Sequence, residues 1–274
     1  MTHLPGPFGH IDMRIDSRPP RPSAVATGGP AQTKGSPPMR TETFHTEQPP
    51  RLRIKLGGGS VRLETSDAAE VVVELEGPNE DDAVIEQRRD EIIVQLERKR
   101  FLGPARDHRL VIRAPHDVAV EANVASADIG GVGRYGSLRI NSASGDVSFQ
   151  EVGDIEINTA SGDVEIGRVG GAGKVRSASG DVELSELEGD LRVQTASGDL
   201  RLGSVSAGKL TLQSASGDVE VGITRGSTVW MDVSSMSGDT SCELDARDEP
   251  PADGRPLVEL KATTMSGDVT ITRA

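Results

Sequence analysis

One short phrase returns seven times in the second half of the chain. Ser-Gly-Asp followed by Val, Leu or Thr stands at Ser144–Val147, Ser161–Val164, Ser179–Val182, Ser197–Leu200, Ser216–Val219, Ser237–Thr240 and Ser266–Val269. A degenerate copy, Ser126-Ala127-Asp128-Ile129, precedes them. The aspartates Asp128, Asp146, Asp163, Asp181, Asp199, Asp218, Asp239 and Asp268 are spaced by 18, 17, 18, 18, 19, 21 and 29 residues. A period near 18, held over five intervals and then loosening, specifies a repeat architecture. A unit that short cannot bury its own apolar face and has to stack on its neighbours.

Within the period the apolar residues alternate. Leu200 and Leu202 follow the Ser197-Gly198-Asp199 turn, and Leu210 and Leu212 follow a second glycine corner at Gly208. Val147/Phe149 then Ile155/Ile157, and Val182/Leu184 then Leu191/Val193, repeat the pattern, with Val152, Val169, Leu187 and Val205 between the pairs. Period-two alternation bounded by turns marks half-buried strands. Stacked coils pair equivalent strands in parallel at about 4.8 Å per coil. The expected fold is therefore all-β: a single-stranded parallel β-solenoid (β-helix) of about 18-residue coils. The crossover preference of parallel strands makes right-handed the expected hand.

The remainder divides in two. Residues 1–50 hold ten of the sixteen prolines and no apolar periodicity, which predicts a disordered tail; Met1 and Met39 are both candidate starts. Residues 51–124 alternate again, at Leu52/Ile54/Leu56, Val61/Leu63 and Val71/Val73/Leu75. They are expected to form an N-terminal β portion that caps the first edge of the repeats, with strand–turn–strand over 83–96, a loop over 101–108 and strands at 110–112 and 118–124. The repeat coils then fill 125–274, with Asp245–Pro256 a surface loop. Met236 and Met265 replace the alanine that precedes Ser-Gly-Asp elsewhere, which predicts a wider or plugged core near the C-terminal end.

Charge narrows the partners. The chain carries a net charge of −13, of which residues 1–50 contribute +1 (five basic, four acidic), leaving −14 for the rest. An acidic body repels phosphate backbones and anionic membrane surfaces, so neither nucleic acid nor membrane insertion is expected. No apolar run approaches the length of a membrane span, and the first residues lack the pattern of a secretory signal. With a single cysteine, Cys242, expected buried and inert, the expectation is a cytoplasmic protein, with the cell surface as the alternative.

The T/S-A-S-G-D-V-x-L phrase, preceded by L-x-V-x and by the Gly59–Thr65 segment G-S-V-R-L-E-T, resembles the bacterial putative adhesin family, a β-solenoid domain of unknown function. The resemblance spans about residues 40–274 and implies the fold. It does not imply a site, because shape alone does not set function.

Three features are candidates for chemistry. Stacked coils align Asp146, Asp163, Asp181, Asp199 and Asp218 in a ladder, with neighbours repelling by roughly 0.9 kcal/mol at ~4.8 Å in a water-like dielectric. Either each carboxylate accepts backbone N–H groups of its own corner or bonds the serine column (Ser144, Ser161, Ser179, Ser197, Ser216), or the column ligates a divalent cation such as calcium. Gly131-Val-Gly133-Arg-Tyr-Gly136 matches a dinucleotide fingerprint, but a strand pattern follows where a helix is required, so corner glycines are expected. The outward columns Asn141/Asn158/Arg176/Gln194/Gln213 and Glu165/Glu183/Arg201/Glu220 are expected to be solvated ladders, or a flat repetitive docking surface.

No catalytic residue or cofactor site is expected. The five histidines have no partners at ligand or triad spacing, and six aromatics are too few for a polysaccharide-processing groove. The expectation is a non-enzymatic structural or interaction protein that presents a rigid acidic solenoid to an unknown protein partner or to itself. The alternatives are a self-assembling scaffold like the bactofilins and a carbohydrate-binding or carbohydrate-processing β-helix.

Overall fold

Each Ser-Gly-Asp in the structure turns a corner, and the residue after it opens a strand. In the computed structural model the described residues are 39–78, 80–96, 108–244 and 257–274. The repeat strands are β7 (Val118–Ser142), β8 (Val147–Ser161), β9 (Val164–Val169), β10 (Gly173–Ser179), β11 (Val182–Glu188), β12 (Leu191–Ser197), β13 (Leu200–Ser216) and β14 (Val219–Ile223). They stack in parallel and in register: Val147 beside Val164, Val164 beside Val182, Val182 beside Leu200, Leu200 beside Val219. The strand that leads into each serine stacks likewise, with Ile157 beside Val175, Val175 beside Val193 and Val193 beside Leu212. Val152, Val169, Leu187 and Val205 form a third buried line between these two. The core is this continuous aliphatic column, and a fully buried Val, Leu or Ile in it contributes roughly 1.5–3 kcal/mol.

The N-terminal part completes the stack. β2 (Arg51–Ser66) lies parallel to β7 on one side. On its other side it lies parallel to β5 (Glu91–Leu96) and β6 (His108–Pro115). Beyond these the pairing turns antiparallel: β3 (Glu70–Glu76) joins β6, β4 (Val84–Arg88) joins β5, and β1 (Met39–His45) joins β3. The expected strand–turn–strand over 83–96 is this β4–β5 hairpin. The expected tail boundary at residue 50 is displaced by β1. All seven of its residues pair with β3, Phe44 packs on the core, and Arg40 Nη1 donates to the Ala83 carbonyl at 2.8 Å. Residues 1–38, nearly all of the 101–108 loop, and 245–256 lie outside the described residues.

At the other end the spatial order departs from chain order. β17 (Leu257–Ser266) and β18 (Val269–Arg273), the last strands of the chain, pair directly with β13 and β14. β15 (Thr228–Ser235) and β16 (Thr240–Cys242), which come earlier, stack outside them. The final layer of the described residues is thus 228–242, and none of them pairs with its outer edge. Two expectations fail here. Met236 and Met265 do not plug the core: they are 81% and 57% exposed, because the residue before Ser-Gly-Asp points outward in every coil, as Ala143, Ala160, Ala178, Ala196 and Ala215 also do. Cys242 is exposed. It occupies the core column opposite Ile271, and among the described residues no further coil covers it.

Candidate functional surface

The aspartate corner is built by sterics first. Gly162, Gly180, Gly198, Gly217, Gly267 and Gly238 all have φ between +129° and +151°, a region open to glycine. A Cβ at Gly198 would sit 2.3 Å from the Gly180 carbonyl oxygen of the coil below. Only a bare backbone lets coils approach this closely at the turn.

The ladder itself is closed by hydrogen bonds. Asp163 N–H donates to Asp146 Oδ1 at 3.0 Å, Asp181 to Asp163 at 2.9 Å, Asp199 to Asp181 at 2.8 Å and Asp218 to Asp199 at 3.0 Å. Asp146 N–H bonds Asp128 Oδ1 at the start, and the series continues from Asp218 to Asp268 and from Asp268 to Asp239 at 2.8 Å each. The donor is therefore the aspartate N–H one coil on, and not the carboxylate's own corner or the serine column. A hydrogen bond to a charged acceptor, worth about 1.5–3 kcal/mol, exceeds the repulsion between neighbouring carboxylates. Arg201 Nη2 bonds Asp199 Oδ2 at 3.0 Å. Among the described residues no group of three or more His, Cys, Asp or Glu side chains is arranged to hold a metal.

A second ladder escaped the sequence reading. Asp154 Oδ1 accepts Ala172 N–H and Asp190 Oδ1 accepts Lys209 N–H, both at 2.8 Å. Its sequence signal is the pair of Gly-Asp dipeptides at 153–154 and 189–190, too few to show as a period.

The expected outward columns are brought together. Asn141 Nδ2 donates to Asn123 Oδ1 at 3.0 Å, Asn158 to Asn141 at 3.1 Å, and Gln194 Nε2 to Gln213 Oε1 at 2.8 Å. Arg176 Nε reaches Gln194 Oε1 at 3.4 Å. On the adjoining side Glu165, Glu183, Arg201 and Glu220 are register neighbours, with Arg201 Nε 3.8 Å from Glu220. The amide column is thus bonded from coil to coil, and the other column is an acidic row that includes one cation, Arg201.

The remaining candidates resolve to structure. Gly131 lies under the Phe149 ring, Gly133 against Thr65 and Gly136 against the Asp117 carbonyl, and the strand runs on through Ser142 with no helix. His108 Nε2 meets the Pro78 carbonyl at 2.9 Å, and His116 Nδ1 meets Thr65 Oγ1 at 3.0 Å. A shallow groove of about 500 Å³ crosses several coils beside Arg51, Arg139, Asp154, Glu156 and Lys174. Its charges are paired along the surface, Arg139 with Glu156 at 3.0 Å and Lys174 with Glu156 at 3.9 Å, and do not converge on a point.

Comparison with known proteins agrees with this geometry. The family model described as Toastrack DUF4097 matches residues 50–273. Among solved structures, a "putative adhesin" from Parabacteroides distasonis superposes with a TM-score of 0.52 at 12% identity, covering 88% of this chain and 98% of its own. A "putative lipid binding protein" from the same species superposes with a TM-score of 0.51 at 12% identity, again over 88% and 98%. At that identity the likeness concerns the fold alone. No curated protein matches the chain.

Proposed function

The chain belongs to the Toastrack DUF4097 family, and on that premise we propose that it is a non-enzymatic interaction protein: a rigid acidic β-solenoid whose flat faces dock a protein partner. The observation that carries this reading is the state of its polar groups. The aspartate and amide ladders are engaged with one another coil by coil, leaving a stiff, repetitive surface without a convergent reactive cluster. Rigid surfaces of this kind bind with little ordering cost, which favours recognition over chemistry. Two solved structures of this fold carry the designations "putative adhesin" and "putative lipid binding protein", both of which name binding roles. The antiparallel strands β1, β3 and β4 act in this reading as the N-terminal cap. The test is an affinity pull-down from the native cell with the compartment recorded by fractionation. A protein retained by the wild type and released when the Glu165/Glu183/Glu220 column is changed to lysine supports the proposal. Turnover of a glycan substrate, abolished by changing one acidic cluster, would replace it.

A further inference from the structure

Large apolar side chains are scarce on the outside of this molecule, yet five of the eight exposed ones among the described residues lie at one end: Trp230, Met231, Met236, Leu257 and Met265. Trp230 is 59% exposed. The same end carries the outer edge of β15, eight residues long, which among the described residues is hydrogen-bonded to β17 alone. Its one charge, Asp232, is held by Lys261 Nζ at 3.0 Å, and it contains no proline. Val229, Met231, Val233 and Cys242 continue the core columns, with Cys242 Sγ 4.0 Å from Met231 Sδ and no coil of the described residues above them. An edge without proline, bulge or unpaired charge invites strand pairing.

We propose that this edge is the interface of a closed twofold dimer, in which two copies of the chain meet tail to tail through β15. The alternatives on the chain fit poorly. The N-terminal end finishes in antiparallel strands whose edges carry Arg40–Glu42 and Arg88–Glu86 ion pairs, so head-to-tail stacking would set a charged edge on an apolar one. The neighbouring segment 245–256, D-A-R-D-E-P-P-A-D-G-R-P, has three prolines and no large apolar residue, a composition unsuited to pairing with a strand edge or covering an apolar face. A second copy supplies both. A twofold axis normal to the sheet runs β15 antiparallel to itself while keeping core-facing residues on the core side. Of the registers that keep Asp232 away from its own copy, the one centred on Met231 overlaps the most of β15, Thr228 through Ser234. There Met231 faces the second copy's Met231, Val229 faces the second copy's Val233, and Trp230 lies over the second copy's Asp232. Such a contact is isologous and closes at two subunits.

The proposal does not rest on partner binding, which a monomeric variant still tests. Sedimentation of the full chain over a concentration series is expected to show a monomer–dimer equilibrium, with the fluorescence of the single tryptophan moving with the dimer fraction. Met231→Lys and Trp230→Lys are each expected to shift the equilibrium to monomer by tenfold or more, with the β-sheet circular dichroism unchanged. In the background Cys242→Ser, Met231→Cys is expected to oxidise to an intermolecular disulfide. Directly opposed residues of an antiparallel pair have Cα atoms ~4.5–5.5 Å apart, inside the disulfide window of about 4.4–6.8 Å. A wild type that stays monomeric to about 100 µM, far above the dissociation constant of a stable dimer, overturns the proposal. So does a dimer indifferent to both lysines, growth into open-ended filaments, or failure of Met231→Cys to crosslink in a dimer that forms.

Discussion

At the scale of single residues, the corner glycines and the one tyrosine carry the sharpest tests. Gly198 has φ +129° and faces a carbonyl oxygen 2.3 Å from where a Cβ would stand. Gly198→Ala therefore adds both backbone strain and a backbone clash, and is expected to cost about 2–4 kcal/mol in urea unfolding. Gly57→Ala, where nothing lies within 4 Å of the new methyl, is expected to stay within about 0.5 kcal/mol. Equal effects at the two sites would show that the corner is not sterically set. Tyr135 is buried, its hydroxyl donates to the Val132 carbonyl at 3.2 Å, and its ring meets Phe149 edge-on at 5.1 Å. Burial, reinforced by the Glu64 charge, pushes its pKa well above the ordinary value of 10.0. A folded pKa raised above the unfolded one gives stability that is complete below pH ~10 and drains away as pH rises from there through the folded value. Since the chain has one tyrosine, tyrosinate absorbance is expected to appear together with alkaline unfolding and not as a separate titration near pH 10. The Ser-Gly-Asp corner was legible because glycine and aspartate each have a local reason to be there. The hydrogen-bond donor was not, because it belongs to a residue one coil away.

At the scale of elements, period two made nearly every strand readable, and the exceptions have causes. β1 alternates exposed Met39, Thr41, Thr43 and His45 with half-buried Arg40, Glu42 and Phe44, so no apolar rhythm marks it; its stability comes from seven rungs with β3. Met236 and Met265 were misplaced because sequence does not show that their column faces solvent, and Cys242 because it does not show where the core column ends. The column leading into the corner holds a further lesson. Ser142, Thr159, Ser177, Thr195, Ser214 and Thr264 all face inward and are buried. Ser142 and Thr195 bond local backbone atoms, whereas the hydroxyls of Thr159, Ser177, Ser214 and Thr264 have no partner among the described residues. A buried unpaired hydroxyl costs roughly 1–3 kcal/mol by mutational measure. Thr264 is completely buried, and valine matches its shape. Thr264→Val is expected to raise stability by about 1 kcal/mol, read as a rise of about 2–4 °C in Tm for a chain of this size. A loss of stability would mean that the hydroxyl is bonded after all.

At the scale of the whole molecule, the chain stacks carboxylates on a body of net charge −14 and holds them mainly with backbone N–H groups, Arg201 adding a side-chain cation at Asp199. The number and phase of the coils were readable from the aspartate spacing. The exchange of the last two layers was not, because the 29-residue interval records only that a detour occurs and not where it returns. Two uses of the aspartate column follow different laws. If each Oδ1 serves the next coil and the rest of the carboxylate faces solvent, mobile ions act only by screening. The Debye length falls from about 10 Å at 0.1 M to about 3 Å at 1 M salt, so repulsion at ~4.8 Å is damped only in the upper part of that range. Tm is then expected to rise by a few degrees at high salt and to follow ionic strength alone, with sodium, magnesium and calcium chlorides lying on one curve. A bound cation instead stabilises by RT ln(1 + [L]/Kd), which saturates the site and continues logarithmically at concentrations too low to screen. A Tm increase at about 1 mM calcium, absent with magnesium or with sodium at matched ionic strength, would show that the column keeps oxygen ligands free and would turn the corner from a closed ladder into a metal site. Asp181→Asn separates the two cases independently. It keeps the Oδ1 acceptor for Asp199 N–H and removes one like charge from the column. It is therefore expected to hold or raise Tm in a screened ladder, and to lower it only where calcium is bound.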